Sequence, residues 1–120
     1  MPESGLVISQ IQDVTVVSFR NRSILDSVGV EAISRELYAL VDEQARKKIV
    51  LDFSNVRFLS SQMLGVLIAL HKKLKEIGGR YIIAGLQPEL HRVFRITRLD
   101  KVLDFAEDET KALAEFDVYA

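Results

Sequence analysis

The sequence predicts an α/β fold built on a mixed β-sheet, and three observations carry that prediction. Ile49-Val50-Leu51-Asp52-Phe53 is a nearly continuous apolar run, which suits a strand covered on both faces, as in a parallel sheet. The stretch from Met63 repeats apolar residues at Met63, Leu67, Leu70, Leu74 and Ile77, the spacing of one helix face, and closes on Gly78-Gly79, a pair suited to a helix C-cap. Near the start, Leu6-Val7-Ile8-Ser9-Gln10-Ile11 and Val14-Thr15-Val16-Val17-Ser18-Phe19 are rich in β-formers, with only Gln12-Asp13 between them. That separation is the length of a tight hairpin.

The remaining elements follow in order. Arg20 to Asp26 is a polar passage broken by Ile24 and Leu25, after which Asp26 or Ser27 can cap a helix with apolar residues at Val30, Ile33, Leu37, Leu40 and Val41. This helix is expected to end near Arg46-Lys47-Lys48, where cations suit the negative end of its dipole. The apolar strand at Ile49 follows, then the turn Ser54 to Leu59 and the helix behind Ser60-Ser61. Arg80 to Gly85 is a further strand, and Pro88 fits the first turn of a third helix with Leu90, Val93, Phe94 and Thr97 on its buried side. Leu99 to Phe105 reads as a turn and a short last strand, and Glu107 to Glu115 as a final helix with acids at its start. The predicted order is β-β-α-β-α-β-α-β-α, with right-handed crossovers between parallel strands and the hairpin as an antiparallel edge.

Composition limits the function classes. A chain of 120 residues, 48% hydrophobic, fits one domain with a buried core. Seventeen acids against 16 bases, a formal charge of -1, give no electrostatic case for nucleic acid or an acidic membrane as the main partner. Recognition is expected from a shaped surface. The absence of cysteine removes disulfides and thiolate metal sites and suits a reducing cytosol. The opening MPESGLVISQIQD lacks a basic and then an apolar secretion segment, and the run Met63 to Leu70 falls well short of the roughly 20 residues a spanning helix needs. A cytoplasmic protein is the expectation.

Catalytic constellations are wanting. His71 and His91 lie in helices without a second ligand at metal spacing, so both read as helix-surface or partly buried histidines. The turn SNVRFLSSQ holds no glycine, which disfavours a Walker or dinucleotide phosphate loop. Arg92, Arg95, Arg98 and Lys101 are spaced at threes along the end of the third helix and read as a solvated face, while Lys72, Lys73 and Lys75 suit a helix C-terminus. No enzyme activity and no cofactor are expected.

The serine pair is the candidate site. Ser60 is a good N-cap residue, stabilising its helix by roughly 1 kcal/mol, and Ser61 follows it beside free backbone N–H groups and the positive end of the dipole, where a phosphate is tolerated. Behind them Met63, Leu64, Val66, Leu67, Ile68, Ala69 and Leu70 leave almost no polar face, so the first half of the helix is either buried all round or offered to a partner.

The run from Leu51 to Leu67, LDFSNVRFLSSQMLGVL, resembles the signature of STAS domains, the anti-sigma factor antagonist family, whose members read D-L-S-x-V-x-F, a hydrophobic residue, then D-S-S/T-G-x-G. Leu25-Asp26, Gly78-Gly79 and the leucine-rich close from Leu99 to Phe105 agree, so the resemblance covers nearly the whole chain. It implies a single STAS domain over residues 1–120, with a mixed four- to five-stranded sheet and helices largely on one side. It also implies an acceptor at Ser61, with Ser60 as the alternative, phosphorylated by a partner that is both anti-sigma factor and serine kinase and reset by a PP2C-type phosphatase. The implied interface takes in Asp26, Asn55, Gln62, Met63, Leu64 and Gly65, and a homodimer is compatible with it. Three positions depart from the pattern: Ser60 replaces the family aspartate, Gln62 the second hydroxyl residue and Met63 the first glycine, which adds bulk beside the acceptor. A STAS scaffold subunit of a stress-signalling complex, never phosphorylated, is the other reading of the same fold.

Overall fold

The structure is a computed structural model that describes residues 4–119. Its main sheet contains β1 (Leu6–Ile11), β2 (Val14–Phe19), β4 (Lys48–Asp52), β6 (Arg80–Ala84) and β7 (Asp104–Ala106), in the spatial order β1-β2-β4-β6-β7. Two short strands, β3 (Ser23–Ile24) and β5 (Phe58–Leu59), pair with each other in parallel outside it. The helices are α1 (Ser27–Asp42), α2 (Ser61–Glu76), α3 (Pro88–Ile96) and α4 (Glu109–Glu115), with a 3-10 turn at Leu99–Lys101. The hairpin β1–β2 is antiparallel and every other pairing in the main sheet is parallel. The mixed α/β architecture is therefore as expected, with β3 and β5 added.

Strand β4 lies between two parallel neighbours and is buried on both faces, which explains its unbroken apolar composition. Ile49, Leu51 and Phe53 join the larger core with Leu37 and Leu40 of α1, Met63, Leu67, Leu70 and Leu74 of α2, and Leu90 and Phe94 of α3. Val50 faces the other way, into a smaller cluster with Val14, Val16, Ile82 and, from α4 and beyond, Ala112, Phe116 and Val118. Three helices thus cover one face and α4 alone covers the other. Tyr81 ties α2 to the sheet, its buried hydroxyl donating to the Leu67 carbonyl at 2.7 Å, and burial raises the phenol far above its ordinary range.

Three local expectations are corrected. Helix α1 stops at Asp42 rather than near Arg46-Lys47-Lys48, because Ala45 turns left-handed at φ 51° and the N–H groups of Ala45 and Arg46 close back on the carbonyls of Val41 and Leu40. Lys48 instead opens β4, where it pairs with Asp13 at 2.6 Å. Thr97 is an exposed C-cap whose Oγ1 donates to the Val93 carbonyl at 2.8 Å, not a buried residue of α3. Arg98 and Lys101 also lie past that helix, Arg98 in a left-handed conformation.

The pair Gly78-Gly79 ends α2 as expected, but the two glycines have different reasons. Gly78 takes φ 74°, whereas Gly79 is held by close approach: a Cβ there would lie 2.6 Å from the Lys47 carbonyl oxygen and 2.8 Å from the Lys47 Cα. Both opposing atoms are backbone, and Arg80 N donates to that same carbonyl at 2.8 Å. Gly79→Ala is expected to destabilise the fold by about 1–3 kcal/mol, read from urea unfolding, since the β4–β6 entry must shift.

Candidate functional site

The site is assembled by the short β3–β5 ribbon. After β2 the chain runs through β3 into α1, and after β4 it runs through β5 into α2, so both helices begin at the carboxyl edge of the sheet. The ribbon joins the two connections: Ser23 pairs with Phe58 and Ile24 with Leu59, Arg57 N donates to the Arg22 carbonyl at 2.8 Å, and Ser60 N to the Ile24 carbonyl at 2.9 Å. Ile24 turns inward and is buried. The N-termini of α1 and α2 are thereby held side by side.

Each N-terminus carries its own cap. Asp26 Oδ2 accepts from Gly29 N at 3.1 Å and Ser60 Oγ accepts from Met63 N at 3.2 Å. The two serines consequently differ. Ser60 is half-buried and engaged as the cap, while Ser61 is exposed as the first residue of α2 and its hydroxyl makes no hydrogen bond among the described residues. Asp26 is occupied as a cap and lies one ribbon connection away from Ser60.

The expected interface residues divide sharply. Asn55, Gln62 and Gly65 are exposed together with Asp26 and Ser61. Met63 is 0% exposed and Leu64 is 9% exposed, and both belong to the main core. Their inward orientation corrects the expectation that Met63 and Leu64 offer an apolar face: the apolar helix start is core, and the Met63 side chain adds no bulk at the surface. The exposed apolar atoms come from elsewhere. Leu25, Val28 and Phe58 are 55%, 56% and 52% exposed, and they sit on the loop before α1, the first turn of α1 and the β5 strand. In the ribbon Phe58 lies opposite Ser23 on the outer face, which Leu25 shares by alternation.

The loop below is pinned from the sheet. Asp52 Oδ1 accepts from Ser54 N at 2.9 Å, and Gln87, the residue before α3, donates from Nε2 to the Ser54 carbonyl at 2.5 Å. Burial and then the neighbouring Asp52 carboxyl raise the Glu109 carboxyl above its ordinary value. The histidines stand apart from the site: His71 packs edge-on against Tyr81, with ring centroids 6.5 Å apart, and His91 leans on Phe105 at 6.0 Å. Among the described residues no group of three or more His, Asp or Glu is suited to holding a metal ion, and no helix is long and apolar enough to cross a membrane.

Sequence reasoning missed the β3–β5 ribbon and the patch of Leu25, Val28 and Phe58. A two-residue strand shows no periodicity, yet the apolar Ile24-Leu25 interrupting a polar passage was a signal of it. The division of labour between the serines is testable by substitution. Ser60→Ala is expected to cost about 1 kcal/mol by losing the cap, and Ser61→Ala to stay within about 0.5 kcal/mol of wild type, both read from urea midpoints.

Comparison with known proteins places the chain. The STAS domain family model matches residues 6–112. The chain is 26% identical over 94 residues to the anti-sigma F factor antagonist of Paenibacillus polymyxa, spanning 78% of this chain and 80% of that one. An anti-sigma factor antagonist from Mycobacterium paratuberculosis has the same fold, with a TM-score of 0.82 at 27% identity over 94% of this chain and 93% of its own. The Bacillus cell fate determinant SpoIIAA, in its phosphorylated form, shares the fold at 20% identity and a TM-score of 0.72, over 92% of this chain and 98% of that one. With a family match across nearly its whole length and a five-stranded mixed sheet of matching architecture, the chain belongs to the STAS domain family.

Proposed function

We propose that this chain is a cytoplasmic anti-sigma factor antagonist. It docks an anti-sigma factor that is also a serine kinase on the surface at the N-termini of α1 and α2, and phosphorylation of Ser61 releases it. A PP2C-type phosphatase restores the binding form. The observation that carries this reading is the position of Ser61: exposed, without a hydrogen bond among the described residues, and directly after the β3–β5 ribbon, whose two connections carry the exposed Leu25 and Phe58.

The chemistry follows from that position. A phosphoserine carries about -1.5 to -2 charge at neutral pH. At the first residue of α2 that charge meets unpaired N–H groups and the positive ends of two adjacent helix dipoles, so the fold tolerates it. In an apolar contact the same charge loses its water without a partner, and docking is opposed. The domain need not refold for binding to switch.

Two further features support the reading. Gly65 is exposed inside α2, and beyond its chain neighbours and the helix's own backbone no described atom lies within 4 Å of where its Cβ would be. A glycine there costs roughly 0.5–1 kcal/mol of helix stability relative to alanine, with no internal reason for it. Close approach of a partner surface supplies a reason. Ser60, in the place of the family aspartate, keeps the capping bond because both residue types cap well. What it lacks is a carboxylate beside the acceptor, and that lack is the observation favouring the other reading, a scaffold subunit of a stress-signalling complex that uses the same surface without phosphate.

Ser61→Asp separates the two. Under the switch, calorimetric titration with the partner kinase shows affinity reduced at least about tenfold, a change of about 1.4 kcal/mol, while the melting temperature barely moves because an acid at a helix N-terminus is not destabilising. Retained affinity sinks the switch and leaves the scaffold. Gly65→Ala is expected to raise stability by about 0.5–1 kcal/mol and to weaken binding of the same partner; unchanged binding would remove Gly65 from the interface.

A further inference from the structure

The two edges of the main sheet are built differently. β7 is three residues long and opens on Asp104, whose carboxylate accepts from Arg80 Nη1 at 3.1 Å. β1 is six residues long, LVISQI, with neither charge nor proline, and it pairs with β2 without a bulge from Leu6↔Phe19 to Ile11↔Val14. Sheet edges are ordinarily blunted by charge, proline, a bulge or shortness, because an open ladder invites another strand. β1 has none of these.

The phase of its open ladder can be worked out. A two-residue loop makes Ile11↔Val14 a hydrogen-bonded pair, and alternation makes Ser9↔Val16 and Val7↔Ser18 the next ones. Arg20 N donating to the Gly5 carbonyl at 3.1 Å is in the same phase. The N–H and C=O of Ile8 and Gln10 therefore point away from the sheet. Val7, Ile8 and Ile11 on this strand are 40%, 39% and 36% exposed.

A second feature lies beside the edge. The early end of α1 leaves a concavity of about 180 Å³, lined by Ile8, Gln10, Thr15, Leu40, Gln44 and Arg46 among others. Thr15 is 2% exposed, and its Oγ1 is buried with no hydrogen-bond partner. A concavity beside an unpaired strand edge leaves room for the side chains of an added strand.

We propose that β1 is a homodimerisation strand: two copies join β1 to β1, antiparallel about a two-fold axis at Ser9, making one continuous ten-stranded sheet. In that register Ile8 exchanges both backbone bonds with Gln10 of the second copy, and Val7 packs on Ile11 of the second copy. No charge opposes another across the contact, and a net charge of -1 per chain adds little repulsion. The side chains of Ile8 and Gln10 from the second copy fall on the α1 side, next to the concavity. The arrangement does not depend on Ser61, whose surface lies at the carboxyl edge of the strands.

Sedimentation equilibrium of the purified chain tests it. Wild type is expected to be a dimer. Ile8→Pro keeps every bond to β2, because the Ile8 N–H points outward, and is expected to sediment as a monomer with an unchanged circular dichroism spectrum. Ile8→Lys repeats the test should the proline disturb the hairpin. The native chain has no cysteine, so Ser9→Cys provides a single thiol opposite its own copy, where paired Cα atoms lie about 4.5 Å apart, and oxidation is expected to yield a covalent dimer. Thr110→Cys, exposed on α4, is the control expected to stay monomeric on reducing-agent-free gels. A wild-type monomer across the soluble concentration range overturns the proposal, as does a dimer that survives both Ile8 variants or a Ser9→Cys chain that fails to cross-link.

Discussion

The burial of β4 on both faces is the constraint on which the rest of this domain depends. Ile49, Val50, Leu51 and Phe53 are wholly removed from water, and full burial of such side chains contributes roughly 1.5–3 kcal/mol each. β4 has parallel neighbours on both sides, and parallel neighbours need crossovers, which this chain makes through helices. Because α1, α2 and α3 each follow a strand, their N-termini gather at one edge of the sheet. The location of the candidate site is thus a consequence of packing before any functional residue is considered. The β3–β5 ribbon then fixes which two N-termini become neighbours.

At that edge the electrostatics favour an anion and the packing favours an apolar partner. The two preferences oppose each other on the same surface, and a reversible phosphate at Ser61 would select between them. Ser60 is spent on the helix cap and Met63 on the core, so neither competes for the role. Asp26 caps α1 in the same manner as Ser60 caps α2. The arrangement is economical in residues: the groups that stabilise the helix starts are the ones that hold Ser61 at the surface.

Much of this was legible in the sequence for physical reasons. The unbroken apolar run at Ile49 signalled a doubly covered strand, Pro88 marked a helix start, and the apolar spacing from Met63 to Leu74 marked a buried stripe. Other features were not. The end of α1 depends on Ala45 adopting a left-handed conformation, which nothing in its side chain announces. The crowded start of α2 did not reveal which apolar residues turn inward, since nearly every position there is apolar and periodicity cannot choose a face. Periodicity therefore leaves open whether Met63 and Leu64 face the core or the surface; in the structure both are buried, and the exposed apolar side chains are Leu25, Val28 and Phe58. Those three belong to different segments, which come together only through the β3–β5 pairing.

The most direct test of the central claim is site-resolved mass spectrometry of the chain purified from its own cells, before and after phosphatase treatment. The account predicts a phosphate on Ser61, removed by the phosphatase, with Ser60 unmodified because its hydroxyl is engaged as the cap. A chain that carries no phosphate at Ser61 under any growth condition, or carries it only on Ser60, would contradict the account.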